Sequence, residues 1–312
     1  MNYLSICSGI DAVTVAWKPM GWKALGVSEI DPFRKAVLDY HYPDIKNFGD
    51  FTEIKKDDFR EPIDLLVGGT PCVSFSMAGL REGITEDRGN LALEFIKLAQ
   101  RLRPKWLLWE NVAGVLSSNR GRDLGSFLGA LAQCGYGFAY RVLDTSLVRT
   151  QRFPSGIPQR RRRIFVVGHH TDWRKPIKVL FKRQSLSKNV APSRGKRIQV
   201  SETDRGTINT TFAVRSSFGG GFLPERAYTL MASELQYVSY TDFLGTHLRK
   251  MTPVEYERLQ GFPDNYTQVP YKGKSKEECS DLKRYEACGR SMSINVMEWL
   301  GKRIEEVENE QS

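Results

Sequence analysis

The stretch Ile63-Asp64-Leu65-Leu66-Val67-Gly68-Gly69-Thr70-Pro71-Cys72-Val73-Ser74-Phe75-Ser76 decides the fold. Its apolar first half, closed by a Gly pair, reads as a buried strand. Pro71 then fixes the backbone immediately before Cys72. Cys72 therefore stands at the carboxyl end of a strand, where open α/β sheets place their ligands. A buried structural cysteine behaves as a small hydrophobe within an apolar segment. This one sits in a Gly/Pro/Ser loop, which leaves either a turn-filling residue or a reactive one.

Upstream, residues 3–7 read as a first buried strand, closed by Ser8-Gly9. Residues 11–20 read as a helix that Asp11 can cap. Strand, small-residue turn and helix form the arrangement that sets a nucleotide against backbone N–H groups. A second strand, residues 24–28, ends in Glu29. An acid about 20 residues after such a turn is a usual partner of ribose hydroxyls, the alternative being a solvated loop carboxylate. Asp31-Pro32 starts a helix that runs to about Tyr40, and Gly49-Asp50-Phe51-Thr52 follows as a loop.

Downstream, residues 77–90 read as a glycine-hinged loop able to close over a substrate. Residues 91–102 form an amphipathic helix ended by Pro104. Trp106–Trp109 is the next buried strand, and its end carries Glu110-Asn111-Val112. After a helix over 123–134 and a strand at 140–143 comes Gly156-Ile157-Pro158-Gln159, four arginines, and Ile164-Phe165-Val166-Val167-Gly168. A charge run is ordinarily solvated, but this one leads straight into an apolar strand. Alternation puts Arg161 and Arg163 on one face and Arg160 and Arg162 on the other.

The 312 residues carry 46 Lys plus Arg against 36 Asp plus Glu, a net charge of +10. That balance suits a polyanionic partner. The five cysteines (7, 72, 134, 279, 288) are scattered, with no CxxC pair, so neither a zinc site nor a disulfide framework is expected. No run approaches ~18 apolar residues, and the start lacks a basic, apolar leader. These features predict an intracellular protein with reduced thiols, no metal and no membrane association.

From Trp173 to Ser201 there are nine Lys or Arg and no acid. Short β-like runs and a glycine-rich loop (Ser216–Gly221) follow to about residue 247. We expect a small, basic, loop-rich unit over 173–270, between a first unit at 1–172 and a C-terminal segment at 271–312. Thr252-Pro253 opens a helix that Gly261 closes.

Together these residues resemble the cytosine-C5 DNA methyltransferases. Pro71-Cys72, Glu110-Asn111-Val112, Gln159-x-Arg161-x-Arg163 and Arg258-Leu259-Gln260-Gly261-Phe262-Pro263 match family motifs in family order. The resemblance implies an α/β, Rossmann-like S-adenosylmethionine domain with a mostly parallel sheet, a small target-recognition domain, and a last helix that returns to the first. It implies Cys72 as nucleophile, Glu110 as partner of cytosine N3, Arg163 on the base carbonyl and Arg161 ordering the site. It implies a cofactor site of Cys7, Ser8, Gly9, Ile10, Glu29, Ile30, Asp50, Phe51, Pro71 and Ser291, and substrate contacts from Ser76, Asn111, Gln159 and Thr229. The implied partner is double-stranded DNA, bound by a monomer. Four positions depart from the pattern: Cys7 for an aromatic, Asp11 and Ala12 for Gly-Gly, and Arg290 for the Asn of Gly-Asn-Ser. A tRNA methyltransferase of the same fold, a catalytically weak DNA-binding relative and an enzyme that adds a modified one-carbon group are the alternatives.

Overall fold

The computed structural model describes residues 1–70, 91–181, 209–214, 227–228, 237–242 and 245–310. Pro71, Cys72, Ser76, Thr229 and the loop expected over 77–90 lie outside them. The strands are β1 (Asn2–Ile6), β2 (Lys23–Ser28), β3 (Leu65–Gly68), β4 (Trp106–Val112), β5 (Tyr136–Asp144), β6 (Gln159–Arg160) and β7 (Arg162–His170). All but β6 join one sheet in the order β2-β1-β3-β4-β7-β5. The β2-β1-β3-β4 pairings are parallel, and β7 runs antiparallel to both β4 and β5. Five strands therefore point one way and β7 alone runs back. A smaller antiparallel sheet contains β8 (Asn209–Val214), β10 (Tyr237–Asp242) and β11 (Gly245–Lys250), while β9 (Ala227–Tyr228) pairs with β6.

The helices are α1 (Ala12–Trp17), α2 (Pro32–His41), α3 (Leu91–Leu102), α4 (Arg122–Gln133), α5 (Arg174–Leu180), α6 (Pro253–Gln260), α7 (Asp281–Arg290) and α8 (Ile294–Asn309). The central strands read as continuous apolar runs because both of their faces are covered. Leu65, Val67, Trp106, Leu108, Phe165 and Val167 face a core shared with α1, α2 and α8. Leu66, Leu107, Trp109, Ile164 and Val166 face the other core, shared with α3 and α4. Local signals set the ends. Asp31 Oδ1 accepts from Phe33 N and Arg34 N at the start of α2. Thr252 and Glu255 cap α6 reciprocally, and Gly261 closes it at φ 87°. The helix expected to reach residue 20 leaves α geometry at Trp17, because Pro19 has no N–H to continue the ladder; a 3₁₀ turn completes it.

Both ends of the 173–270 stretch are built onto the large sheet. Helix α5 is anchored by Arg141, which donates to the Leu180 carbonyl at 2.7 Å, and by Arg303, which donates to Val179 at 3.2 Å. Tyr256, Leu259 and Phe262 share the core of Tyr3 and Ile10. Helix α8 crosses α1, where Trp17 Nε1 donates to the Met297 carbonyl at 2.7 Å. Gly301 permits this approach: a Cβ there would stand 2.4 Å from Trp17 Nε1. Gly301→Ala is expected to cost about 1–3 kcal/mol by overpacking. Urea unfolding would register this as a lowered midpoint at unchanged slope.

Candidate active site

The parallel strands end at one rim, and the loops that leave them enclose a cavity of about 580 Å³. Cys7 follows β1, Glu29 and Ile30 follow β2, Gly69 and Thr70 follow β3, and Glu110–Val112 finish β4. Because β7 runs back, its first residues arrive at this same rim. Val112 pairs with Arg163 and Glu110 with Phe165, which brings Arg161 and Arg163 over the end of β4.

One side of the cavity is built to accept hydroxyl and amine donors. The buried Glu29 carboxylate takes Gly9 N at 2.9 Å on Oε2, and Ile30 N and Asp31 N at 3.0 and 2.8 Å on Oε1. Arg34 stands 3.4 Å from Oε2. Asp50 Oδ1 caps a 3₁₀ turn through Thr52, leaving its second oxygen open. Phe51 and Ile30 supply apolar walls, and Ile30 is 70% exposed at the rim. Oriented carboxylates beside apolar walls fit the ribose hydroxyls, exocyclic amine and purine face of an adenosyl group.

The other side holds the chemistry. Glu110 is largely buried, and Arg163 Nε stands 3.2 Å from its Oε1. Burial pushes the Glu110 carboxyl above the usual range, against the pull of Arg161 and Arg163. Arg161 is buried and donates to the carbonyls of Gly289 at 3.2 Å and Ser291 at 2.6 Å, which ties the rim to the end of α7. Arg160 and Arg162 are exposed, as alternation requires. Asn111 Nδ2 donates to the Thr70 carbonyl at 3.1 Å, and Trp109 Nε1 to Thr70 Oγ1 at 2.9 Å. Both side chains thus hold the residue that precedes Pro71-Cys72.

Other expected residues act from outside the cavity. Ser8 Oγ accepts from Ser28 N, at 3.1 Å, and joins β1 to β2. Ser291 lines a narrow cleft between Cys7 and Glu110. Ile10 has a fully buried side chain in the core, and its carbonyl accepts from Tyr266. Gln159 is fully buried beside the cavity wall, not on it, with neither amide atom hydrogen-bonded. Sequence reasoning missed Arg34, Asn47 and Thr70. Asn47 Oδ1 accepts from Glu29 N and Gly49 N, and the Asn-x-Gly spacing was its available signal. Arg34 and Thr70 carried none.

The two departures near Gly9 both adopt strained backbone; Asp11 is buried and Cys7 half-buried at the cavity wall. Cys7 (φ 47°) and Asp11 (φ 57°) adopt left-handed backbone, which is uncommon for residues other than glycine. Burial, then Glu29, pushes the Cys7 thiol up to about 12, so it stays protonated and is no nucleophile. Asp11 caps α1 through Thr14 N, but its Oδ2 is buried without a partner. Burial raises its carboxyl to about 6. Its stabilising contribution is therefore complete below the unfolded value of about 4 and is lost as pH rises through 6. Asp11→Asn keeps the cap and tolerates the backbone. We expect this variant to escape that loss, a relative gain of roughly 2–3 kcal/mol between pH 4 and 8. Parallel stability–pH curves for the two proteins would refute this role.

Known proteins share both sequence and fold with this chain. A "DNA N-6-adenine-methyltransferase" of Escherichia phage P1 is 30% identical over an alignment covering 97% of this chain and 61% of the relative, so the chain spans less than two thirds of that protein. The Type II methyltransferase M.HpaII of Haemophilus parainfluenzae is 29% identical, with 97% of this chain and 88% of the relative covered. The crystal structure of S. pombe Dnmt2 methyltransferase superposes with a TM-score of 0.67 at 18% identity, over 99% of each chain. The model of the family described as C-5 cytosine-specific DNA methylase matches residues 1–216 and 230–306, through every element that builds the cavity. The chain belongs to that family, whose methyl donor is S-adenosylmethionine.

Proposed function

We propose that the protein transfers a methyl group to C5 of a cytosine in double-stranded DNA, through a transient bond between Cys72 Sγ and C6. The observation that carries this is the meeting of Glu110 and Arg163 beside Thr70, the residue that leads into Pro71-Cys72. Cytosine C5 is a poor nucleophile. Addition of the Cys72 thiolate to C6 shifts the ring electrons toward C5 and N3. Glu110, whose carboxyl burial shifts toward the protonated form, donates to N3 as that charge develops. The Arg163 guanidinium holds the base carbonyl, and Arg161 fixes the α7 end behind it. When bound, S-adenosylmethionine supplies an electrophilic methyl carbon on a sulfonium. After transfer a base takes the C5 proton, the pair returns to the C5–C6 bond, and Cys72 leaves as thiolate. The target base must leave the stack, which costs a few kcal/mol. The acid-free stretch 173–201 offsets this through phosphate contacts.

The test is transfer of labelled methyl from S-adenosylmethionine to duplex DNA and, separately, to tRNA, followed by nucleoside analysis. 5-Methylcytosine in DNA, with a steep fall in binding as salt rises, is the expected result. Label confined to tRNA, or N6-methyladenine in DNA, would overturn the proposal.

A further inference from the structure

A second recess, of about 520 Å³, lies between the carboxyl ends of α1 and α2 and the turn that follows α6. It shares no residue with the cavity at the strand rim. Its wall is built on a ladder of rings. Phe262 packs on Tyr266 with ring centres 4.7 Å apart, and Tyr266 stacks on His41 at 4.0 Å with 2° between the planes. Tyr266 is buried, whereas His41 and Tyr42 are half-buried at the wall. Hydrogen bonds hold the ladder in place. Tyr266 Oη donates to the Ile10 carbonyl at 3.0 Å, and His41 Nε2 donates to the Tyr266 carbonyl at 2.7 Å. A planar ligand therefore finds rings already ordered, which lowers the entropy cost of binding.

The charge at this wall is positive. Asp264 is taken up by Arg258, which donates through Nε to Oδ1 at 2.7 Å and through Nη2 to Oδ2 at 2.5 Å. Lys18 and Lys276 form no ion pair among the described residues. They stand over the rings of Tyr42 and Tyr40, 5.8 and 5.7 Å from the ring centres. Helices α1 and α2 end here at Lys18 and Tyr42, each with about half a negative charge, which two ammonium groups exceed. An ammonium is a point-charge partner for a phosphate, and an aromatic face beside it receives a planar ring. We propose that this recess binds a nucleotide, with its phosphate at Lys18 and Lys276 and its base against His41 and Tyr42. The site goes beyond the methyl-transfer reading and does not depend on it. Two sources share this chemistry: a free nucleoside diphosphate, and one nucleotide of a nucleic-acid strand.

The experiment is calorimetric titration of the full chain and its Lys18→Gln/Lys276→Gln double variant, each first saturated with S-adenosylhomocysteine so that the donor cavity is filled. The probes are thymidine diphosphate, pyrophosphate and a four-residue oligothymidylate. Thymine is chosen because it is neither the adenine of the donor nor the cytosine of the substrate. Thymidine diphosphate is expected to bind the parent about tenfold or more tighter than pyrophosphate, the margin that stacking of one base supplies. The double variant should weaken it about 10- to 100-fold, as loss of charge-assisted contacts does. S-adenosylhomocysteine itself should bind parent and variant within about twofold, because the two sites share no residue; this also shows that the variant is folded. The probe that loses more in the variant identifies the source, the diphosphate for a free nucleotide and the oligothymidylate for a strand. No loss for either probe would overturn the proposal. So would pyrophosphate binding the parent as tightly as thymidine diphosphate.

Discussion

Cys72→Ser is expected to abolish methyl transfer, on the order of 10³-fold or more, while duplex binding persists. Without addition to C6 the ring cannot make C5 nucleophilic, and a serine hydroxyl yields far too little oxyanion near neutral pH. Among the described cysteines, only Cys7 lines the cavity. With its thiol pushed up to about 12, only about 10⁻⁵ of it ionises at pH 7. Cys288 is buried and pushed up as well. Duplex DNA carrying 5-fluorocytosine, which blocks the final loss of the C5 substituent, should trap the parent protein as a band stable to denaturation. The Cys72→Ser variant should give none. Transfer at parental rate by the variant would sink the covalent mechanism.

Glu110→Gln should lower the turnover number about 10²- to 10⁴-fold, the range a positioned general acid supplies, with donor binding retained. Glutamine keeps the shape and can still donate a hydrogen bond, but it cannot deliver a proton to N3. The pH profile carries a separate signature. Burial outweighs Arg161 and Arg163 and holds the Glu110 carboxyl above its ordinary value. The active form is protonated, so turnover by the parent should fall as pH rises through that raised value. The residual activity of Glu110→Gln should lack this limb. If both profiles fell together, Glu110 would not be the acid.

Much of this was visible in the chain because the signals are local. Continuous apolar runs at 65–67, 106–109 and 164–168 announce strands covered on both faces, and each lies in the large sheet. Asp31-Pro32 and Thr252-Pro253 start helices for the reason they do in any protein: a side-chain oxygen satisfies the first free N–H groups. Asp11 as a cap and the alternation within Arg160–Arg163 follow from one residue's neighbours and from strand period alone.

Other features exist only after the sheet closes. Arg163 is 53 residues from Glu110 in sequence and 3.2 Å from it in space, because β7 runs opposite to its neighbours and delivers its first residues to the carboxyl rim. Nothing in a run of arginines states which way the following strand points. Thr70 looks like turn punctuation, yet Trp109 and Asn111, about 40 residues away, fix it at the end of β3. Arg34 reads as a surface helix residue until the β2 turn folds Glu29 back against it. The strands and the caps were thus written residue by residue in this chain. The meeting of Glu110 with Arg163 and the raised carboxyl were decided by tertiary structure, because burial and long-range strand direction are properties of the packed sheet and not of any segment.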